Sequence, residues 1–195
     1  MIKYPNGKTC VTALPSSLPE KKYTGGRGME LEKEINLTNS FYLSNDIAVI
    51  HKKPTPVTVV KVDYPRRSSA KITEAYFKLP STTDYNGIYK GKYIDFEAKE
   101  TKNKTSFSLR NIHPHQIQHL KNIYRHGGIA FLIIRFTTLN ETYLLMATKL
   151  TEFIENSTRE SIPIAYLREN AYLIKDGYAP SIDYLKIVDK IIGGI

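Results

Sequence analysis

Asp84, Glu97 and Lys99 are the residues whose types and spacing can do chemistry. Residues 81–99 read as two short strands around a Lys90-Gly91 turn. In the second strand Tyr93, Asp95, Glu97 and Lys99 alternate with Ile94, Phe96 and Ala98, so the two sets take opposite faces. Glu97 and Lys99 are then same-face neighbours, roughly 6.6 Å apart along the strand. Asp84 precedes the first strand, and the hairpin can return it to the side of Glu97. Two carboxylates meeting at a sheet edge, with a lysine beside them, can hold a divalent cation and a phosphate together. Oxygen ligands suit Mg²⁺, which keeps several waters and shares its remaining positions with phosphate oxygens. A neighbouring lysine can orient a water or offset charge building on phosphorus. Taken alone, the spacing is weak, and an exposed hairpin with a charged face is the favoured reading of it.

The chain as a whole narrows the partner. Its 195 residues, 41% of them hydrophobic, suffice for one sizeable core. A net charge of +9 favours an anionic partner, nucleic acid or an acidic membrane surface. No run of about 18 apolar residues predicts a membrane span, and the N-terminus lacks the apolar block of a signal peptide. Cys10 is the sole cysteine, which excludes an intrachain disulfide and a cysteine-built zinc site. The expectation is a cytoplasmic, nucleoid-associated protein.

The elements that must position the three residues are read in chain order. Residues 1–26 predict a flexible basic tail, and 27–195 a single domain. A helix is expected over Met29–Leu43, with Leu31, Ile35, Thr38 and Tyr42 inward and Glu32 and Glu34 on opposite edges of that stripe. Ile47–Lys53 reads as a short strand. Val57–Val62 and Lys71–Lys78 read as a pair projecting from the domain, a stalk-like excursion over 54–78 with a Pro-Arg-Arg-Ser-Ser tip. Arg66, Arg67 and Lys71 would meet phosphates there, and Tyr64, Tyr76 and Phe77 are placed either on bases or in the core. Residues 100–110 read as a polar loop in which Lys102, Lys104 and Arg110 suit a nucleic-acid backbone. A helix is expected over Pro114–His126. Its first turn carries His115 and Gln116, where a helix N-terminus favours phosphate; His113 and His119 read as capping or solvent-facing. Thr82, near Asp84, is a further site candidate. Ile129–Phe136 predicts a buried strand that turns into Thr142–Ala147. Helices are expected over Thr151–Glu155 and Ile182–Ile192, and 162–183 has no regular pattern.

Asp-x12-Glu-x-Lys is also the spacing of the PD-(D/E)xK nuclease signature. Longer strings surround it: Arg27-Gly28-Met29, Leu31-Glu32, His51-Lys52-Lys53-Pro54-Thr55-Pro56, Tyr76-Phe77-Lys78, Ser81-Thr82-Thr83-Asp84-Tyr85-Asn86-Gly87, Tyr93 to Lys102, and Gly177-Tyr178-Ala179-Pro180. In order and over nearly the whole chain, they resemble the RecU family of Holliday junction resolvases. The resemblance implies an α/β, restriction-endonuclease-like fold, with a mixed central sheet flanked by helices and a protruding basic β stalk that enters a four-way junction. It implies a homodimer that cuts symmetrically with Mg²⁺ or Mn²⁺. Asp84, Glu97 and the Ala98 carbonyl would be metal ligands, Lys99 would be catalytic, and Glu32 is chosen over Glu34. Recombinase and branch-migration proteins are implied partners. The signature places Pro before the first Asp, where this chain has Thr83. The other readings are a related duplex or flap nuclease, and a non-catalytic protein that binds and shapes junctions.

Overall fold

The computed structural model describes residues 31–64, 69–78 and 82–193. The first described element, α1 (Leu31–Ser44), buries Leu31, Ile35, Thr38 and Tyr42, together with Asn39. Then come β1 (Val49–Lys52), β2 (Val57–Asp63), β3 (Lys71–Phe77), β4 (Tyr85–Tyr89) and β5 (Lys92–Thr101). The β4–β5 turn is made by Lys90 and Gly91, at φ 48° and 72°, a left-handed pair whose twist suits a two-residue hairpin. Gly87 lets β1 pack close: a Cβ there would stand 2.1 Å from the Val49 carbonyl oxygen.

The chain continues through β6 (Ser106–Ser108), a 3₁₀ turn (Leu109–Asn111), α2 (Pro114–Arg125), β7 (Ile129–Phe136), β8 (Glu141–Met146) and α3 (Ala147–Asn156). It closes with β9 (Ser161–Pro163), α4 (Ile164–Asn170), β10 (Tyr172–Ile174) and α5 (Leu185–Gly193). Six strands form one sheet in the order β1-β4-β5-β7-β8-β10. Its only parallel pair among the described residues is β5–β7. That pair needs a crossover, which α2 provides.

The sheet is covered on both sides, so β7 is buried along nearly its whole length. On one side Ile129, Phe131 and Ile133 pack with α1 and α5. On the other, Ala130, Leu132, Ile134 and Phe136 pack with α2, α3 and α4. Under the site, the rings of Tyr85, Phe96 and Phe131 stack at 4.8 Å spacings across β4, β5 and β7. A bidentate ion pair, Arg135 to Glu34 at 2.6 and 3.0 Å, ties α1 to the sheet. The architecture is thus α/β, a mixed central sheet flanked by helices.

β2 and β3 stand apart as a separate two-stranded sheet. Every residue of the pair is exposed except Val62, which is half-buried. Its register shifts around Lys61, a bulge that strengthens twist. This ribbon is the stalk; its tip residues Arg66 and Arg67 lie outside the described residues, as does the tail 1–26.

Several expected elements differ. Residues 100–110 are no open loop: β5 runs on to Thr101, and β6 pairs with β9 before the 3₁₀ turn. The helix expected over Thr151–Glu155 begins at Ala147. The last helix starts at Leu185, because Ile182 and Tyr184 are buried core plugs ahead of it. The stretch 162–183 contains α4 and β10. Among the described residues, no helix is long and apolar enough to cross a membrane.

Candidate active site

The β4–β5 ladder ends at Tyr85 paired with Phe96, so Asp84 lies just beyond it. Its backbone is held instead by two other groups: its carbonyl accepts from Lys53 N at 2.7 Å, and its amide donates to Glu97 Oε2 at 3.0 Å. The second bond joins the two acidic residues directly. Glu97 is fully buried. Its Oε1 lies 2.6 Å from Lys99 Nζ as an ion pair, yet has no partner with hydrogen-bond alignment. Burial, and then the neighbouring Asp84, push the Glu97 carboxyl up to about 7 against the pull of Lys99. The structure thus brings Asp84, Glu97 and Lys99 together on one face of β5.

The donor set is oxygen-rich and includes a buried carboxylate oxygen whose one close neighbour, the Lys99 ammonium, is an ion pair without hydrogen-bond alignment. A buried carboxylate is costly unless paired, and a metal ion is one such partner. Two carboxylates and a main-chain carbonyl fit a hard divalent cation that keeps its waters. Ala98 belongs to the stretch of β5 beyond Phe96, where β4 no longer pairs. Among the described residues, no three acidic, histidine or cysteine side chains converge as a complete cage. The set therefore suits Mg²⁺ or Mn²⁺ completed by water and phosphate rather than a closed protein site.

Glu32 does not join the pair: its carboxylate is ion-paired with Lys52. It stays within electrostatic reach, since the buried Tyr85 hydroxyl is pushed up by burial, then by Glu32, Asp84 and Glu97. That hydroxyl bonds Asn36 Oδ1 at 3.1 Å and so links α1 to the site strand. Glu34 is engaged by Arg135 on another edge. Glu100 turns away from Lys99 and accepts from Leu31 N, at the start of α1, at 3.2 Å.

The basic candidates separate. Lys71, Lys102 and Lys104 are exposed. Arg110 is exposed and ion-paired with Glu160 at 2.5 Å. Gln116 is only 4% exposed, and its Oε1 accepts from His113 N at 3.0 Å. Its carboxamide oxygen therefore caps α2. His115 stacks on His113, with its Nε2 buried and unpartnered. Thr82 is half-buried and its hydroxyl lies 3.4 Å from the Thr83 carbonyl. Phe77 and Tyr76 are 84% and 62% exposed, which excludes the core alternative.

A second polar cluster was not legible as a site. Asp95 is fully buried. Its Oδ1 accepts from the Thr83 hydroxyl. Its Oδ2 receives Lys53 Nζ at 2.8 Å and the Tyr93 hydroxyl at 3.0 Å. His119 Nε2 lies 3.2 Å from the same oxygen. His119 is therefore neither a cap nor a free surface histidine. The signal available in the sequence was the strand alternation that sets Asp95 on the face of Glu97.

The family model described as "Recombination protein U" (RecU) matches residues 26–190. A curated "Holliday junction resolvase RecU" from Geobacillus sp. (strain WCH70) is 56% identical over 98% of this chain and 98% of its own. The protein of that name from Bacillus cytotoxicus is also 56% identical, over 97% of this chain and 98% of its own. That from Staphylococcus aureus (strain JH9) is 54% identical, over 98% and 96%. A solved Holliday junction resolvase, Hjc of Archaeoglobus fulgidus, covers 73% of this chain and 93% of its own at 11% identity and a TM-score of 0.41; that similarity is too low to bear on function.

Proposed function

The chain belongs to the RecU family, and from that premise we propose that it is an endonuclease that resolves four-way DNA junctions by divalent-metal-dependent hydrolysis. The observation that carries the chemistry is the Asp84 amide bonded to Glu97, with Lys99 against the other Glu97 oxygen. Asp84, Glu97 and the Ala98 carbonyl would hold Mg²⁺ or Mn²⁺. Bound there, the cation supplies Lewis acidity toward the scissile phosphate and makes a water more acidic. Lys99 then orients the attacking water and balances the negative charge that grows on the phosphoryl oxygens. Glu32 acts from the outer edge through Lys52 and Tyr85.

The protein works as a homodimer, whose two-fold axis matches the pseudo-symmetry of a four-way junction and sets two cuts in strands of like polarity. Val49, Ile88 and Tyr93, adjacent in register and exposed, supply an apolar row for that contact. The stalk enters the junction, with Lys61, Lys71 and Lys78 on phosphates and Tyr76 and Phe77 against bases. Its place is the cytoplasm, at the nucleoid, beside recombinase and branch-migration proteins.

Asp84→Asn and Glu97→Gln test the assignment. Both should lower Mg²⁺-dependent junction cleavage by about 10³-fold or more, of the order seen when a key electrostatic group is lost, while junction affinity in EDTA stays unchanged. Equal losses of binding and cutting would remove the metal role.

A further inference from the structure

We propose that Asp95 is a positioning residue for Asp84, acting through Thr83 and Lys53; the proposal rests on the metal-dependent nuclease assignment above. The Asp84 backbone sits past the end of the β4–β5 ladder, so β5 holds it only through the Glu97 carboxylate. Lys53 holds it from the front. The Lys53 main-chain amide bonds the Asp84 carbonyl at 2.7 Å, and its ammonium reaches back to the Thr83 hydroxyl at 3.0 Å. Asp95 anchors both partners: it accepts from the Thr83 hydroxyl and from Lys53 Nζ at 2.8 Å. Tyr93 donates to it and His119 lies against it, and Asn86 donates to the Tyr93 hydroxyl at 3.1 Å. The Thr83 hydroxyl therefore donates once and accepts once, and it has no spare freedom to rotate.

A fully buried carboxylate is a costly way to fill a core, because apolar residues of the same volume usually serve stability as well or better. Its placement gives it a use. Asp95 lies two residues before Glu97 on the same face of β5 and grips the residue immediately before Asp84. One strand thus presents one metal-binding acid and braces the backbone of the other. The nuclease signature has proline before its first acid, and a proline ring restrains the backbone by itself. Thr83 lacks the ring, and here its hydroxyl, clamped between Asp95 and Lys53, supplies the restraint. Groups that orient ligands in this way commonly govern metal affinity as strongly as stability.

Calorimetric titration of the full chain with Mn²⁺, without DNA, tests this, alongside thermal melting in EDTA. Thr83→Val removes the hydroxyl at nearly constant shape and should weaken Mn²⁺ binding by about tenfold, with junction affinity in EDTA unchanged. Thr83→Ser should restore Mn²⁺ affinity. Arg135→Met, which breaks the distant tether to Glu34, should lower the melting temperature and leave Mn²⁺ affinity alone. Should Thr83→Val fail to fold, Lys53→Gln carries the same expectation. Wild-type Mn²⁺ affinity in a folded Thr83→Val or Lys53→Gln protein would overturn the proposal. So would a loss in Arg135→Met equal to that in Thr83→Val. If the wild-type chain takes up no Mn²⁺, or Asp84→Asn takes it up as well as wild type does, the metal assignment itself falls, and the positioning role with it.

Discussion

Glu97 is built at the expense of stability. Its carboxyl, ordinarily near 4.5, is raised to about 7 by burial and by Asp84. A raised folded-state value means that the protonated form favours folding. The stabilisation is complete below the unfolded value and is lost as pH rises through about 7. At pH 8 and without metal, the penalty approaches about 3 kcal/mol. Glu97→Gln should therefore raise the melting temperature of the metal-free protein at pH 8 by several degrees, at roughly 2–4 °C per kcal/mol. The gain should be much smaller at pH 5. An equal gain at both values would show that Glu97 is not held in its strained state. Mn²⁺ should stabilise the wild type at pH 8 and leave Glu97→Gln nearly unmoved, because the variant lacks the carboxylate charge that would hold the cation. The acidic pair and its lysine were legible because strand alternation and a hairpin are local rules. The Asp95 cluster was not, since it joins Lys53, Thr83, Tyr93 and His119 from four separate segments, and no spacing announces such a meeting.

Among the elements, long periodic segments could be read and short ones could not. α1, α2, β7 and the β4–β5 hairpin stand where their apolar periods put them, because each buries a full face. β6, β9 and β10 are three residues each. Their form comes from pairing with distant partners rather than from a pattern of their own. The stalk was legible from its charge: between His51 and Lys78 five lysines and two arginines stand against Asp63 and Glu74, a balance that does not suit a core. Its exposed aromatics yield a direct expectation. Phe77→Ala should change folding stability by no more than about 0.5 kcal/mol, as for a surface site, while weakening junction binding more than duplex binding. A large loss of stability, measured by denaturant unfolding, would mean that Phe77 packs against something in the working assembly. Equal losses on both DNAs would deny the stalk a part in recognising the junction's shape.

For the whole molecule, sheet, stalk and charge make one arrangement. The core has a well-packed face on each side of the sheet, so its stability does not depend on the stalk. Glu97 occupies the part of β5 that β4 leaves unpaired, and Asp84 lies just before β4 beside it. A net charge of +9 draws any nucleic acid, and by itself does not tell a junction from a duplex. In the proposed dimer, discrimination would come from geometry: two sites at a fixed separation, and a ribbon that a linear duplex would not accommodate. The central claim is thus one of shape as well as chemistry. It is tested most directly by incubating the protein with a labelled four-way junction and with a linear duplex of the same sequence, each with Mg²⁺ and with EDTA. Cleavage of the junction alone, in Mg²⁺ alone and at symmetric positions in strands of like polarity, is the predicted result. Equal cutting of the duplex, or junction binding with no cutting in either Mg²⁺ or Mn²⁺, would contradict it.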